Sequence, residues 1–313
     1  AQLFDALTRI VSGVRTAAKP TRTPGKLDPA LASRLPLRVL LCDDNLINQK
    51  VAMRLLQQMG YRSTIAGNGV EALAAIDHAP FDLIFMDVMM PEMDGLEATR
   101  QIRARHKDRR QYPNFKSPMI IVAMTASAMP GDRDKCLAAG MDDYLSKPVR
   151  PEDVRTIVER WGPTAAAGEP ATSTDSAATT AKMMANTDTP MNNLPPIDLD
   201  RLQEFTEGNP ENLTELVTLY VQQTTQQLEQ LEIAVKANNA PDIRRLAHSC
   251  AGASATCGMR RIVIPLRELE RQSSEGKLTQ VAELCAQTLK EFELIRTALT
   301  PYLAPAAAQA VGS

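Results

Sequence analysis

Five short apolar runs alternate with amphipathic helical stretches between residues 37 and 161, and that alternation restricts the fold more than any other feature of the chain. Strand candidates fall at 38–42, 62–66, 81–86, 119–124 and 143–145. Helical periodicity occupies 46–59, 69–78, 95–105, 131–139 and 151–160, with Gly60, Gly140 and the Ala79-Pro80 step where helices should stop. Right-handed crossovers return the chain to the same edge, so repeated βα units predict a parallel sheet. The expected fold class is an α/β doubly wound, five-stranded parallel sheet.

After residue 196 the strand-like runs vanish and long helical periods replace them. Leu213, Leu216, Val217, Tyr220 and Val221 start a stripe that continues through Leu228 and Leu231. Further helices are expected over about 241–256, 259–274 and 278–303, with Asp198, Asn209-Pro210 and Pro241-Asp242 as caps and first-turn prolines. This second unit reads as a separate all-α, antiparallel four-helix bundle spanning 197–303. Breaker-rich residues 19–36 read as a connector, and Ala/Thr/Ser/Pro-rich residues 162–196 read as a flexible linker. Residues 304–313 read as a tail.

Composition excludes several function classes. A net charge of -2 gives no global attraction to nucleic acid or anionic membrane. The basic stretch 100–116, with Tyr112 and Phe115, reads as a helix end and loop, and no DNA-reading module follows it. The apolar runs are too short to span a bilayer. Five cysteines without metal-type spacing fit a reducing, cytoplasmic compartment. The chain opens with Ala1 rather than Met and reads as a piece of a longer protein.

The chemistry gathers at the strand ends. Asp43-Asp44 closes the first apolar run, Asp87 the third, Thr125 the fourth, and Lys147-Pro148 follows the fifth. In an open parallel sheet these C-terminal ends meet at one edge, where ligands bind. Three carboxylates in one pocket repel one another unless they hold protons or a cation, and oxygen-only ligands suit Mg²⁺ or Mn²⁺. Such a cation leaves one carboxylate free to attack phosphorus, while Lys147 and Thr125 can meet phosphoryl oxygens.

These residues resemble the receiver domains of two-component signalling, over about 37–161. The resemblance rests on Val39-Leu40-Leu41-Cys42-Asp43-Asp44-Asn45, Met86-Asp87-Val88-Met89-Met90-Pro91-Glu92-Met93-Asp94-Gly95, Met124-Thr125-Ala126 and Asp142-Asp143-Tyr144-Leu145-Ser146-Lys147-Pro148. It implies a flavodoxin-like fold, with Asp87 as phosphoacceptor. It also implies Mg²⁺ held by Asp43, Asp44, Asp87 and the Met89 carbonyl, Thr125 and Lys147 on the phosphoryl oxygens, and Tyr144 as a switch aromatic. Tyr144 as an ordinary rim aromatic stays open.

In the second unit, His248 falls beside the buried stripe Ile243, Leu246, Ala247, Cys250 and Ser254, so its imidazole is expected to reach solvent. Gly252, one turn on, removes bulk where a partner would approach. Ala247-His248, Gly252, Ala255-Thr256-Cys257-Gly258 and Leu266-Arg267-Glu268-Leu269-Glu270 resemble the histidine-containing phosphotransfer (HPt) domains, over about 196–303. The resemblance implies His248 as a phosphoryl acceptor and donor. Ala251 stands where that family commonly has lysine, and Arg244 and Arg245 are candidates to substitute. His78 and His106 read as structural. Residues 1–18 resemble the closing helix of an upstream receiver, which implies the C-terminal part of a bacterial hybrid sensor histidine kinase.

The expected function is a two-component phosphorelay from a kinase core to Asp87, to His248 and on to a downstream receiver, with a receiver dimer left open. Two alternatives stay open: a phosphorylation-controlled binding switch whose bundle only docks, and a phosphate sink. An exposed His248 favours relay, and a His248 buried against a neighbouring helix favours docking.

Overall fold

The computed structural model describes residues 28–108, 110–112, 119–125, 130–167, 195–206 and 208–303. The expectations for 1–18, 304–313 and most of 162–196 lie outside those residues. Among these described residues helix α1 (Leu31–Arg34) comes first, then β1 (Val39–Cys42), α2 (Leu46–Gln58), β2 (Ser63–Ala66), α3 (Gly69–His78) and β3 (Leu83–Asp87). Helix α4 (Gly95–Lys107), β4 (Ile120–Thr125), α5 (Pro130–Ala139), β5 (Asp143–Ser146) and α6 (Pro151–Ala167) complete the first domain. The second holds α7 (Leu199–Thr206), α8 (Pro210–Lys236), α9 (Ala240–Thr256), α10 (Arg260–Ser274) and α11 (Val281–Leu299), closed by a 3₁₀ turn at Thr300–Tyr302.

All five strands are parallel, in the order β2-β1-β3-β4-β5. The chain steps from β1 outward to β2 and then returns to β3 on the other side, so the order reverses between β1 and β3. That reversal opens a crevice at the carboxyl ends of the two strands. Strands β1, β3 and β4 are buried along their whole length. Alternate side chains supply opposite layers: Leu40, Cys42, Ile84 and Met86 pack beneath α3 and α4, whereas Val39, Leu41 and Phe85 pack beneath α2 and α6.

The helix starts follow local chemistry. Asn45 caps α2, its side-chain oxygen accepting from Ile47 N at 3.0 Å and Asn48 N at 3.3 Å. Asp94 caps α4 by accepting from Glu97 N at 2.7 Å. Gly95 follows because nothing larger fits: a Cβ there would lie 2.0 Å from the Asp87 carbonyl oxygen.

In the bundle, Tyr220 from α8 is wholly buried, edge-on to Phe292 of α11, with its hydroxyl 3.0 Å from Ser254 Oγ. Gly258, at φ +79°, turns the chain from α9 into α10. Among the described residues the expected four helices become five. The eight-residue α7 is capped by Asp198 and buries Leu202 and Phe205.

Two boundaries differ from expectation. Part of the expected connector is ordered onto the first domain: Leu31 is buried and Tyr61 Oη donates to the Leu35 carbonyl at 2.7 Å. Helix α6 also runs through Gly162-Pro163 to Ala167. Thr164 to Ala167 carries three alanines, the best helix formers, and Ala165 is buried.

The apolar layer under α2 and α6 does not end at the first domain. It continues into the bundle core as one cluster that includes Val51, Leu202, Leu216 and Leu246. The two domains therefore pack with α2 against α7, α8 and α9.

Candidate functional site

The sheet edge gathers the expected groups. Asp87 ends β3, Asp43 follows β1, Thr125 ends β4 and Lys147 follows β5. One oxygen each from Asp43, Asp44 and Asp87 lies within 4.8 Å of the others. Asp43 and Asp87 are each 1% exposed. Lys147 Nζ donates to Asp43 Oδ2 at 2.7 Å and to Asp87 Oδ2 at 2.6 Å. Burial pulls the Lys147 ammonium towards neutrality, and the Asp43 and Asp87 charges more than reverse it, so its pKa is raised.

Three carboxylates facing one ammonium leave excess negative charge. Burial, then the Asp87 and Asp43 charges, push the Asp44 carboxyl up to about 7, while Lys147 and His248 oppose the shift. Burial also raises Asp43, against the pull of Lys147. A dense, oxygen-only donor set with unneutralised charge fits a hard divalent cation. Met89 adjoins the cluster, its N–H donating to Asp87 Oδ1 at 3.3 Å. Thr125 is buried at the rim, and its carbonyl accepts from Lys147 N at 2.6 Å. Tyr144, in β5, is half-buried with the Arg133 guanidinium 5.6 Å from its ring centre.

His248 corrects one expectation. It lies on α9 and is 6% exposed, not open to solvent. By the criterion set from sequence, that burial favours docking. Its neighbours come from two directions. From α10, Glu270 Oε1 lies 2.8 Å from His248 Nδ1, and Arg267 Nη1 donates to Glu270 Oε2 at 2.6 Å. Burial would raise Glu270, but the bond to His248 and the His248 and Arg267 charges outweigh it and hold the carboxyl at about 2. An ionised carboxylate only accepts, so Nδ1 carries the proton and a neutral ring keeps its lone pair on Nε2. The first domain packs beside it, since Asn45 bonds Ser249, the residue after His248.

Polar bonds fasten the two domains around that junction. Asn48 Nδ2 donates to Asp43 Oδ1 at 3.2 Å, and its Oδ1 accepts from Thr256 Oγ1 at 3.0 Å. Asn45 Nδ2 donates to Ser249 Oγ at 3.2 Å, and Gln227 Nε2 reaches the same oxygen at 3.1 Å. Glu215 of α8 pairs with Lys50 and, at 3.1 Å, with Arg54. Gly252 faces Asn48: a Cβ there would sit 3.6 Å from Asn48 Nδ2, an ordinary contact that leaves room for alanine and little more.

Other candidates stay apart from this junction. Arg244 is exposed, and Arg245 pairs with Asp242 at 3.3 Å. Ala251 is fully buried in the bundle core, so that position contributes no charge. His78 Nδ1 is 2.7 Å from the Ala74 carbonyl, a structural role as expected. Arg103 of the basic stretch bonds the Gly140 and Met119 carbonyls and Asp142, which ties α4 to the sheet. Among the described residues no helix is long and apolar enough to cross a membrane.

Sequence reasoning assigned no role to Glu270, Asn45, Asn48, Ser249 or Thr256. Glu270 and Thr256 stand in the stretches that resemble HPt domains and Asn45 in one that resembles receivers, while Asn48 follows the capping Asn45 by one turn and so shares its face.

Residues 39–159 match the response regulator receiver domain family and residues 215–299 match the Hpt domain family. Over 300 residues the chain is 30% identical to the sensor histidine kinase GacS of Pseudomonas protegens, covering 93% of this chain and 29% of that protein. It is 40% identical over 142 residues to the sensor protein GacS of Pseudomonas syringae pv. syringae, covering 45% of this chain and 15% of that protein. A solved receiver domain of a Pseudomonas aeruginosa sensor histidine kinase, with a magnesium ion in its active-site cleft, is 40% identical with a TM-score of 0.35. That alignment covers 40% of this chain and 96% of the solved one. The chain thus spans less than a third of the length of either GacS relative. The chain carries a response regulator receiver domain followed by an Hpt domain, the domain pair of a two-component phosphorelay.

Proposed function

We propose that Asp87 and His248 exchange a phosphoryl group directly, as the internal step of a relay from a kinase histidine to a separate receiver. The observation that carries this reading is the seating of the Asp43, Asp44, Asp87 cluster against the helix that carries His248: Asn48 bonds both Asp43 and Thr256, and Asn45 bonds Ser249, the residue after His248. The Nε2 lone pair of His248 forms the N–P bond as the P–O bond to Asp87 breaks, and that electron pair returns to the carboxylate. Glu270 holds the Nδ1 proton and stabilises the positive charge that grows on the ring. Lys147 bridges Asp43 and Asp87, so its ammonium sits where the phosphoryl oxygens must pass, and Thr125 offers a hydroxyl at the same rim. Mg²⁺ (or Mn²⁺) on Asp43, Asp44, Asp87 and the Met89 carbonyl would neutralise charge on the transferring group when bound. Tyr144 is the candidate switch aromatic.

In this reading the chain is the C-terminal part of a cytoplasmic, hybrid-kinase signalling region. Its partners are that kinase core and a downstream response regulator, with a receiver dimer as a further state. The burial of His248 favours a second reading, in which phosphorylated Asp87 controls binding and the bundle only docks.

One experiment separates the two. Wild type, Asp87→Asn and His248→Gln are incubated with acetyl phosphate and Mg²⁺, and bound phosphate is sorted by acid lability. Acid-labile phosphohistidine in wild type and in neither variant supports the relay. Label confined to Asp87, even with a donor kinase present, leaves the docking module.

A further inference from the structure

We propose that Arg267 sets the lifetime of phosphohistidine at His248, by taking up part of the Glu270 charge that faces the imidazole. The inference rests on His248 as the phosphoryl carrier of the relay above and deepens that reading. The three side chains stand in file: Glu270 Oε1 lies 2.8 Å from His248 Nδ1, and Arg267 Nη1 donates to Glu270 Oε2 at 2.6 Å. All three are largely shielded from water, with side-chain exposures of 8% for His248, 19% for Glu270 and 28% for Arg267. Arg267 bonds the ring's partner rather than the ring, which makes it a positioning residue.

A ring phosphorylated on Nε2 has two forms. With a proton on Nδ1 it is a cation. When water attacks phosphorus, the N–P electron pair returns to Nε2, a neutral imidazole leaves, and the water gives up a proton to solvent. Without the Nδ1 proton the same step expels an imidazolate, a far poorer leaving group. The Glu270 carboxylate holds that proton on the ring and so favours loss of the phosphoryl group. The Arg267 guanidinium draws on the same carboxylate and restrains it. Burial would raise Glu270, and the bonds to His248 and Arg267 outweigh it and keep the carboxyl ionised, at about 2. The other charges around the ring are few. On α9, one turn back, Arg244 is exposed and Arg245 pairs with Asp242, while Ala251 offers none. From α8 comes the neutral Gln227, bonded to Ser249, and in the first domain Asp44 feels the His248 charge. Among these groups Arg267 is the cation bonded to the ring's own partner.

The test uses full-length chains carrying Asp87→Asn, so that the group cannot return to the receiver. His248 is loaded with phosphoramidate, the chain is desalted, and acid-labile phosphate is followed over time from acid to alkaline pH. Arg267→Gln keeps a donor for Glu270 and loses the charge. It should shorten the half-life at neutral pH about threefold to fivefold, the range of one partly exposed ion pair. Glu270→Gln should lengthen it by a similar factor, and Arg267→Lys should stay near the parent value. Added to Glu270→Gln, Arg267→Gln should change nothing, because Arg267 acts through that carboxylate. In acid all the chains should converge, since every ring then holds its proton. A half-life in Arg267→Gln equal to or longer than the parent's overturns the proposal. So does an equal shortening by Arg267→Gln when Glu270 is already replaced. A second loading, from a His248→Gln chain phosphorylated on Asp87, keeps the two readings apart. No transfer from that donor, with phosphoramidate loading intact, overturns the relay and leaves the lifetime result standing. No phosphohistidine from either source overturns both.

Discussion

Replacing Glu270 tests how the bundle makes its histidine a nucleophile. The carboxyl is held at about 2 in the folded protein, from an ordinary 4.5, by its bonds to His248 and Arg267 against the opposing effect of burial. That shift corresponds to about 3 kcal/mol favouring the ionised form, at 1.36 kcal/mol per pH unit. Glu270 is only 19% exposed, so solvent screening removes little of it. If His248 and Arg267 share the interaction evenly, about 1.5 kcal/mol acts on the ring. That is the share available to steady the positive charge on the imidazole during transfer, equivalent to about tenfold in rate.

Glu270→Gln keeps an oxygen to accept from Nδ1 and loses the charge, so transfer from Asp87 should slow about tenfold. Glu270→Ala also loses the acceptor, about another 1 kcal/mol, so the slowing should reach roughly fiftyfold to a hundredfold. Rapid-quench measurement of acid-labile phosphohistidine in chains preloaded on Asp87 reads both, with circular dichroism as a check on folding. Transfer by Glu270→Ala at the wild-type rate would refute the assignment. Glu270→Gln as slow as Glu270→Ala would show that charge accounts for the whole effect and that holding the tautomer contributes nothing.

Other outcomes follow from the same geometry. Asp44 sits at about 7 when folded, above its ordinary value, so its contribution to stability is present below about pH 4 and lost as pH rises towards 7, up to about 4 kcal/mol. Metal-free protein should therefore lose melting temperature between pH 5 and 7.5, Asp44→Asn should flatten that slope, and Mg²⁺ should restore stability at neutral pH. A slope unchanged in Asp44→Asn would contradict this. Gly95→Ala forces a Cβ to 2.0 Å from the Asp87 carbonyl, and urea unfolding should report a loss of about 3 kcal/mol or more. Thr256→Val removes the donor to Asn48 at 3.0 Å and should slow transfer about fivefold while leaving the melting temperature within a few degrees.

The receiver half of this arrangement was largely legible in the sequence. Asp43, Asp87 and Thr125 each close an apolar run, and strand ends in a parallel sheet must share an edge. The second half was less so, for reasons of distance and length. Helical periodicity placed His248 beside the buried stripe of α9, but periodicity describes one helix and not what settles on top of it. The groups that settle there are Glu270, 22 residues away on α10, and, at the neighbouring Ser249, Asn45 of the other domain. Asn48 and Thr256 meet across 208 residues, a pairing that no local pattern encodes. Helix α7 is two turns long, too short for a periodic signal, and is fixed by Leu202 and Phe205 entering a core built elsewhere.

The amide of Asn48 has a consequence for how the two domains sense each other. One end donates to Asp43 and the other accepts from Thr256, so a single rigid group touches the acidic cluster and the bundle at once. Whatever redirects the Asp43 oxygens must turn or release that amide, and the bundle loses or keeps a bond accordingly. Thermodynamic reciprocity then requires the converse: seating the bundle biases how readily the acidic cluster takes up its charge partner, by the same free energy. Ion loading and domain seating are thus a linked pair of equilibria, and a shift imposed on either should be readable in the other.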